Sequence, residues 1–155
     1  MSGYYAGMGG LPPQDRLMTG RAIFTDAYCF IPKGVMSDIV TSLFPGWDKT
    51  RGWMIARPMS GFSETFSQYI MDVGPGGGSD APEPDAGVEG VLFIVEGEIA
   101  LTYDGMTHAM SAGGYAYLPP GLKWTLRNPG HGPARFHWVR KLYEPVSYTH
   151  LRAHE

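Results

Sequence analysis

Glu98-Ile99-Ala100-Leu101-Thr102-Tyr103-Asp104-Gly105-Met106-Thr107-His108-Ala109-Met110 carries the pattern that decides the fold. Side chains of an extended segment alternate between two faces. Ile99, Leu101 and Tyr103 therefore share one face, and Glu98 and Thr102 point the other way. Asp104-Gly105 interrupts the alternation. This pair predicts a tight hairpin, because its turn needs positive φ at the central residues. Beyond it, His108 shares a face with Met106 and Met110 and reads as a packed histidine. Period two with one wet face predicts an antiparallel sheet.

The same texture continues on both sides. In Lys123 to Arg127, Trp124 and Leu126 face one way and the polar residues the other. In Ala134 to Leu142, Ala134, Phe136 and Trp138 oppose Arg135 and His137. Further β-like runs are Arg21 to Ile31, Val35 to Leu43, Arg51 to Arg57, Phe62 to Val73, Val88 to Val95 and Tyr115 to Leu118. Phe62 to Val73 alternates less cleanly. Gly74 to Ala86 opens with Gly74-Pro75-Gly76-Gly77-Gly78 and continues with acids, which predicts a loop. Many short strands and no long helical period predict an all-β fold, one antiparallel barrel or sandwich from Arg21 to Leu142. Met1 to Gly20, with Pro12-Pro13 among glycines, is expected to be an arm.

The chain has 155 residues, enough for one domain, and 43% are hydrophobic. Its net charge of -3 argues against nucleic-acid binding. Cys29 is the one cysteine, so no internal disulfide forms and it reads as a small buried hydrophobe. The longest apolar run, Val91 to Val95, suits a buried strand and predicts no membrane contact. Met1 to Leu11 has neither a basic start nor an apolar core, so no signal peptide is read there and a cytoplasmic setting is expected.

Two segments carry a family resemblance. Gly113, Pro119, Gly121 and Asn128 keep the spacing of the second cupin motif, and Glu89 to Glu98, closing on Gly97, resembles the end of the first. The resemblance implies a double-stranded β-helix, or jelly-roll, barrel. In that family histidines and a glutamate bind a divalent metal inside the barrel. Here those positions fall on Pro84, Ala86, Gly90 and Trp124. Glu89 is one residue out of place, so its side chain is expected on the opposite face. An indole has no lone pair to give a metal. No metal is expected at this site.

A wider resemblance covers Arg21 to Val146. It rests on Arg21-Ala22-Ile23, Ile31-Pro32-Lys33-Gly34-Val35, Phe44-Pro45-Gly46-Trp47, Gly113 to Gly121 and Tyr143-Glu144-Pro145-Val146. In this order they resemble the N-terminal half of the (S)-ureidoglycine aminohydrolases, two-cupin enzymes of allantoin breakdown. The resemblance implies residues 21–146 as a non-catalytic cupin lobe. It places Mn2+ and the hydrolysis to (S)-ureidoglycolate and ammonia in a C-terminal cupin that this sequence lacks. That cupin is the expected partner, a homo-oligomer is expected, and the chain by itself is expected to be inactive. Residues 147–155 do not resemble the family's linker and read as a non-native tail. The alternatives are a stand-alone, metal-free cupin that binds a small organic ligand, and a metal-dependent cupin enzyme with displaced ligands.

Other candidates have plainer readings. Glu89, Tyr117 and Trp124 are placed at the barrel mouth, and Trp124 marks it best. Trp47, Trp53 and Trp138 suit an interface with a partner domain. Asp80, Glu83, Asp85 and Glu89 read as a solvated acidic loop, a poor platform for acid–base work. Gly74 to Gly78 is not a phosphate loop, because no Lys-Ser/Thr follows. His131 and His137 read as surface residues. His150 and His154 could pair on a metal only if helical, and they belong to the tail.

Overall fold

The computed structural model describes residues 23–25, 27–31, 42–57 and 65–146. The arm, the tail with His150 and His154, and most of the Val35 to Leu43 run lie outside them. Among the described residues there is no helix, and so none long and apolar enough to cross a membrane.

Eleven strands make up the rest: β1 Ile23–Phe24, β2 Cys29–Phe30, β3 Ser42–Leu43, β4 Asp48–Ala56, β5 Phe66–Ser79, β6 Val88–Glu96, β7 Glu98–Tyr103, β8 Met106–Ser111, β9 Tyr115–Leu118, β10 Trp124–Arg127 and β11 Ala134–Leu142. β1 and β2 form a small separate hairpin. The others join one antiparallel sheet with the order β8-β7-β10-β5-β11-β6-β9, and β4 flanks β5 with β3 beyond it. The sheet curls into a nearly closed barrel. Ile94 exchanges backbone hydrogen bonds with Gly113 and Gly114, tying the β8–β9 turn to β6.

The alternating runs bury the faces that their sequence predicts. Ile99, Leu101, Leu126, Ala134, Phe136 and Trp138 all lie in the core. The predicted hairpin forms with Asp104 at φ 50° and Gly105 at φ 74°. Two expectations need correction. Arg21 to Ile31 is not one strand: Thr25 Oγ1 accepts from the Ala27 and Tyr28 N–H groups and turns the chain between β1 and β2. Serine and threonine hydroxyls make such turns without glycine or proline.

The second correction is larger. Gly74 to Ser79 is strand, the far end of β5, and not loop. It passes between β4 and β10 too closely for side chains. A Cβ on Gly77 would lie 2.6 Å from the Asp48 carbonyl oxygen, and one on Gly78 would lie 1.9 Å from that of Leu126. The pairing with β4 also slips here, between Asp48 and Thr50. The glycines serve backbone approach, a use of glycine that a turn-based reading misses.

Asn128 secures this crossing. Its amide donates to the carbonyls of Val73 and Gly132, both at 2.8 Å, and its Oδ1 accepts from Gly130 N–H at 2.9 Å. The residue is 1% exposed. Asn128→Ala deprives those backbone groups of their partner, and a buried polar group left unpaired costs about 1–3 kcal/mol. Urea unfolding should show a loss of about 1–2.5 kcal/mol at unchanged slope. A loss below about 1 kcal/mol would mean that water replaces the amide without penalty.

Candidate functional site

The four positions that correspond to metal ligands in the resembled family differ in burial. Pro84 and Ala86 are exposed on the segment between β5 and β6. Gly90 and Trp124 are buried in β6 and β10. A Cβ on Gly90 would sit 3.3 Å from Trp138 Nε1, so an indole occupies the space into which a Gly90 side chain would project. Trp138 lies 5.6 Å from Trp47, 5.8 Å from Tyr69 and 6.1 Å from Trp124, the last edge to face. The barrel interior is thus filled by an aromatic plug. Proline, alanine, glycine and tryptophan offer no side-chain lone pair, and among the described residues no three His, Cys, Asp or Glu side chains converge. The side chains at these four positions do not fit a divalent metal.

The plug also corrects the placement of the tryptophans. Trp47, Trp53 and Trp138 are 9%, 7% and 2% exposed, so none is available as an interface anchor. Trp124 lies within the packed core and not at an open mouth.

The acidic segment between β5 and β6 pairs with a charged group beside the plug. Arg140 stacks over Trp138 at 5.1 Å and donates from Nε to Glu83 Oε2 at 2.6 Å. Its Nη2 also reaches Glu83 Oε1 and, at 3.3 Å, Asp85. Glu83, with Asp85 behind it, is therefore a buried counterion, and its hydrogen bonds hold the guanidinium above its usual pKa. The signal was readable. Arg140 has the inward parity of Ala134, Phe136 and Trp138, and an inward charge must be paired.

Glu89 and Tyr117 meet each other on the outer face. Tyr117 Oη donates to Glu89 Oε2 at 2.7 Å, and this bond raises the phenol's pKa. Neighbouring Gly90 and Leu118 point inward, so β6 and β9 turn the Glu89–Tyr117 pair away from the plug. His108 stacks on Tyr103 at 4.8 Å, as a packed ring. Asp72, buried on the outer side of β5, pairs with Arg135 at 2.9 Å and Arg51 at 3.7 Å, and both guanidinium groups lie over Trp53.

His137 is half-buried and not a surface residue. Its Nδ1 lies 3.1 Å from Gln68 Nε2, and it lines a cavity of about 210 Å³ with Cys29, Ile31, Ile55 and Ile70. Burial lowers its pKa below 6.5. The contribution to stability is therefore whole above the unfolded value and is lost as pH falls from about 6.5 through the lower folded value. Thermal melts on acidification should show the wild type losing Tm more steeply than His137→Gln, which cannot titrate. Parallel curves would place His137 in solvent.

A family model described as the Cupin domain matches residues 69–140. A Pseudomonas aeruginosa protein named for induction by glyoxylate has a solved structure 55% identical to this chain, with a TM-score of 0.74, covering 96% of this chain and 53% of its own. The (S)-ureidoglycine aminohydrolase of Escherichia coli strain K12 is 29% identical over 70% of this chain and 41% of its own length. A protein of Oryza sativa subsp. japonica named for the same activity is 34% identical over 54% of this chain and 26% of its own. The chain spans about half, or less, of the length of these relatives.

Proposed function

We propose that this chain, whose residues 69–140 are a cupin domain, is the non-catalytic lobe of a two-barrel (S)-ureidoglycine aminohydrolase. The observation that carries the reading is the aromatic plug. Trp138 lies against Gly90, and Trp124 takes the place of a ligand, so rings stand where the resembled family would hold a metal. The names and the greater length of the relatives support the rest. On this reading the metal, Mn2+, and the hydrolysis belong to another barrel, and this lobe contributes packing.

The test is ammonia release from (S)-ureidoglycine with manganese added. The chain by itself should not exceed the spontaneous rate. Joined to a complete C-terminal cupin, it should support turnover. Turnover by the chain without a second barrel would sink the reading. Failure of the joined protein would favour a metal-free binding protein. For that second reading the structure offers an open cleft of about 660 Å³, lined by Phe44, Trp47, Lys49, Arg51 and Asp72.

A further inference from the structure

The outer face of the sheet is covered on one side and open on the other. Cys29 of β2 and the adjacent Ile31 close one pocket together with Ile55, Ile70 and His137 of β4, β5 and β11. The adjoining strip on β6 and β9 carries no such layer among the described residues. There Val91 pairs with Tyr117 and Phe93 with Tyr115. Phe93 is 46%, Val95 45%, Tyr115 63% and Tyr117 50% exposed. The opposite face of the same two strands is core, with Leu92, Ile94 and Leu118 buried. A strand pair apolar on both faces belongs to a sheet that is covered on both.

We propose that this β6–β9 face docks a second β-barrel domain, the other half of a two-barrel chain. The proposal rests on the functional reading above and names the surface through which the lobe packs. Two observations favour this occupant. The 55%-identical relative, matched over nearly all of this chain, is about twice as long, which leaves length in it for a second domain of similar size. The chain also leaves β11 on this side. Tyr143 N–H donates to the Gly87 carbonyl just before β6, and the Tyr143 phenol lies within electrostatic reach of Tyr117. A linker following Val146 would therefore start beside the open face. Tyr115 and Tyr117 provide rigid aromatic area with a polar tip, and the Glu89 carboxylate stands at the rim, which suits an apolar interface with a polar border.

The experiment co-expresses this chain with the C-terminal half of the Pseudomonas aeruginosa relative, so that neither half must fold unaided. The wild-type chain should co-elute with that half on size exclusion. Phe93→Lys or Tyr115→Glu should weaken the complex about 30-fold or more, the loss expected at central anchors. Met106→Lys, equally exposed at the hairpin end of β8 beside Tyr103, should leave it unchanged, and all three variants should keep the wild-type unfolding midpoint. Three outcomes overturn the proposal: no complex with the wild-type chain, face variants that bind like wild type, or self-association through this face that the second half does not displace. Binding is read separately from turnover. A face-dependent complex that releases no ammonia upholds the docking face and sinks the functional reading. An active complex indifferent to the face variants does the reverse.

Discussion

Gly78→Ala is expected to abolish cooperative folding of the barrel. The added methyl would lie 1.9 Å from the Leu126 carbonyl oxygen and 2.8 Å from its carbon, and both are backbone atoms that cannot rotate away. Gly78 also holds φ +140°, which an L side chain rarely adopts. Relief requires β5 and β10 to part, and their pairing is short: Leu126 with Ser79 and Arg127 with Gly78. β10 is the strand through which β7 and β8 join β5. Parting it opens the barrel and exposes Leu101 and Leu126. The cost should exceed about 4 kcal/mol, beyond the range of ordinary point substitutions. A domain is stable by only about 5–15 kcal/mol, so soluble yield and urea midpoint should both collapse. Gly105→Ala is the control. Gly105 has φ +74° with nothing within 4 Å of an added Cβ, so backbone strain of about 1–2 kcal/mol is the whole effect. Comparable midpoints for the two variants would show that the close approach at Gly78 is not what constrains the barrel.

Trp138→Ala should carry the second largest loss, about 3 kcal/mol. Removing a large aromatic from a packed core typically costs about 3–5 kcal/mol. The lower end is expected because Trp138 Nε1 is buried without a partner, and its removal recovers part of a standing penalty. The plug cannot close over the gap, since Trp47, Tyr69 and Trp124 are each held on separate strands or turns around it. Arg140 also loses the ring it lies over. Trp138→Phe keeps much of the packing and removes the orphan N–H, so it should stay within about 1 kcal/mol of wild type. A double-mutant cycle with Trp124→Ala should return a coupling of about 0.5–3 kcal/mol, as for residues in direct contact. Urea unfolding at constant slope is the measurement. A loss below about 1 kcal/mol for Trp138→Ala would mean a loosely filled interior around the ring.

Gly90 and Trp124 both lie against Trp138, one beneath its Nε1 edge and the other edge to face. Arg140, which lies over Trp138, is paired with Glu83.

The amino-acid sequence determined the antiparallel barrel, the inward faces of β7, β10 and β11, the Asp104-Gly105 hairpin and the absence of ligands at Pro84, Ala86, Gly90 and Trp124. Each follows from a rule local to one strand or turn: side chains alternate, a tight turn demands positive φ, and a residue without a lone pair cannot bind a metal. Only the tertiary structure decided that Gly74 to Gly78 runs as strand, because the reason is backbone of β4 and β10 arriving from distant sequence. It alone put Glu83 on Arg140, Tyr117 on Glu89, and Trp47 inside with Trp124 and Trp138. Which side chains meet across a closed sheet depends on the order and register of strands far apart in the chain, and no local period encodes that order.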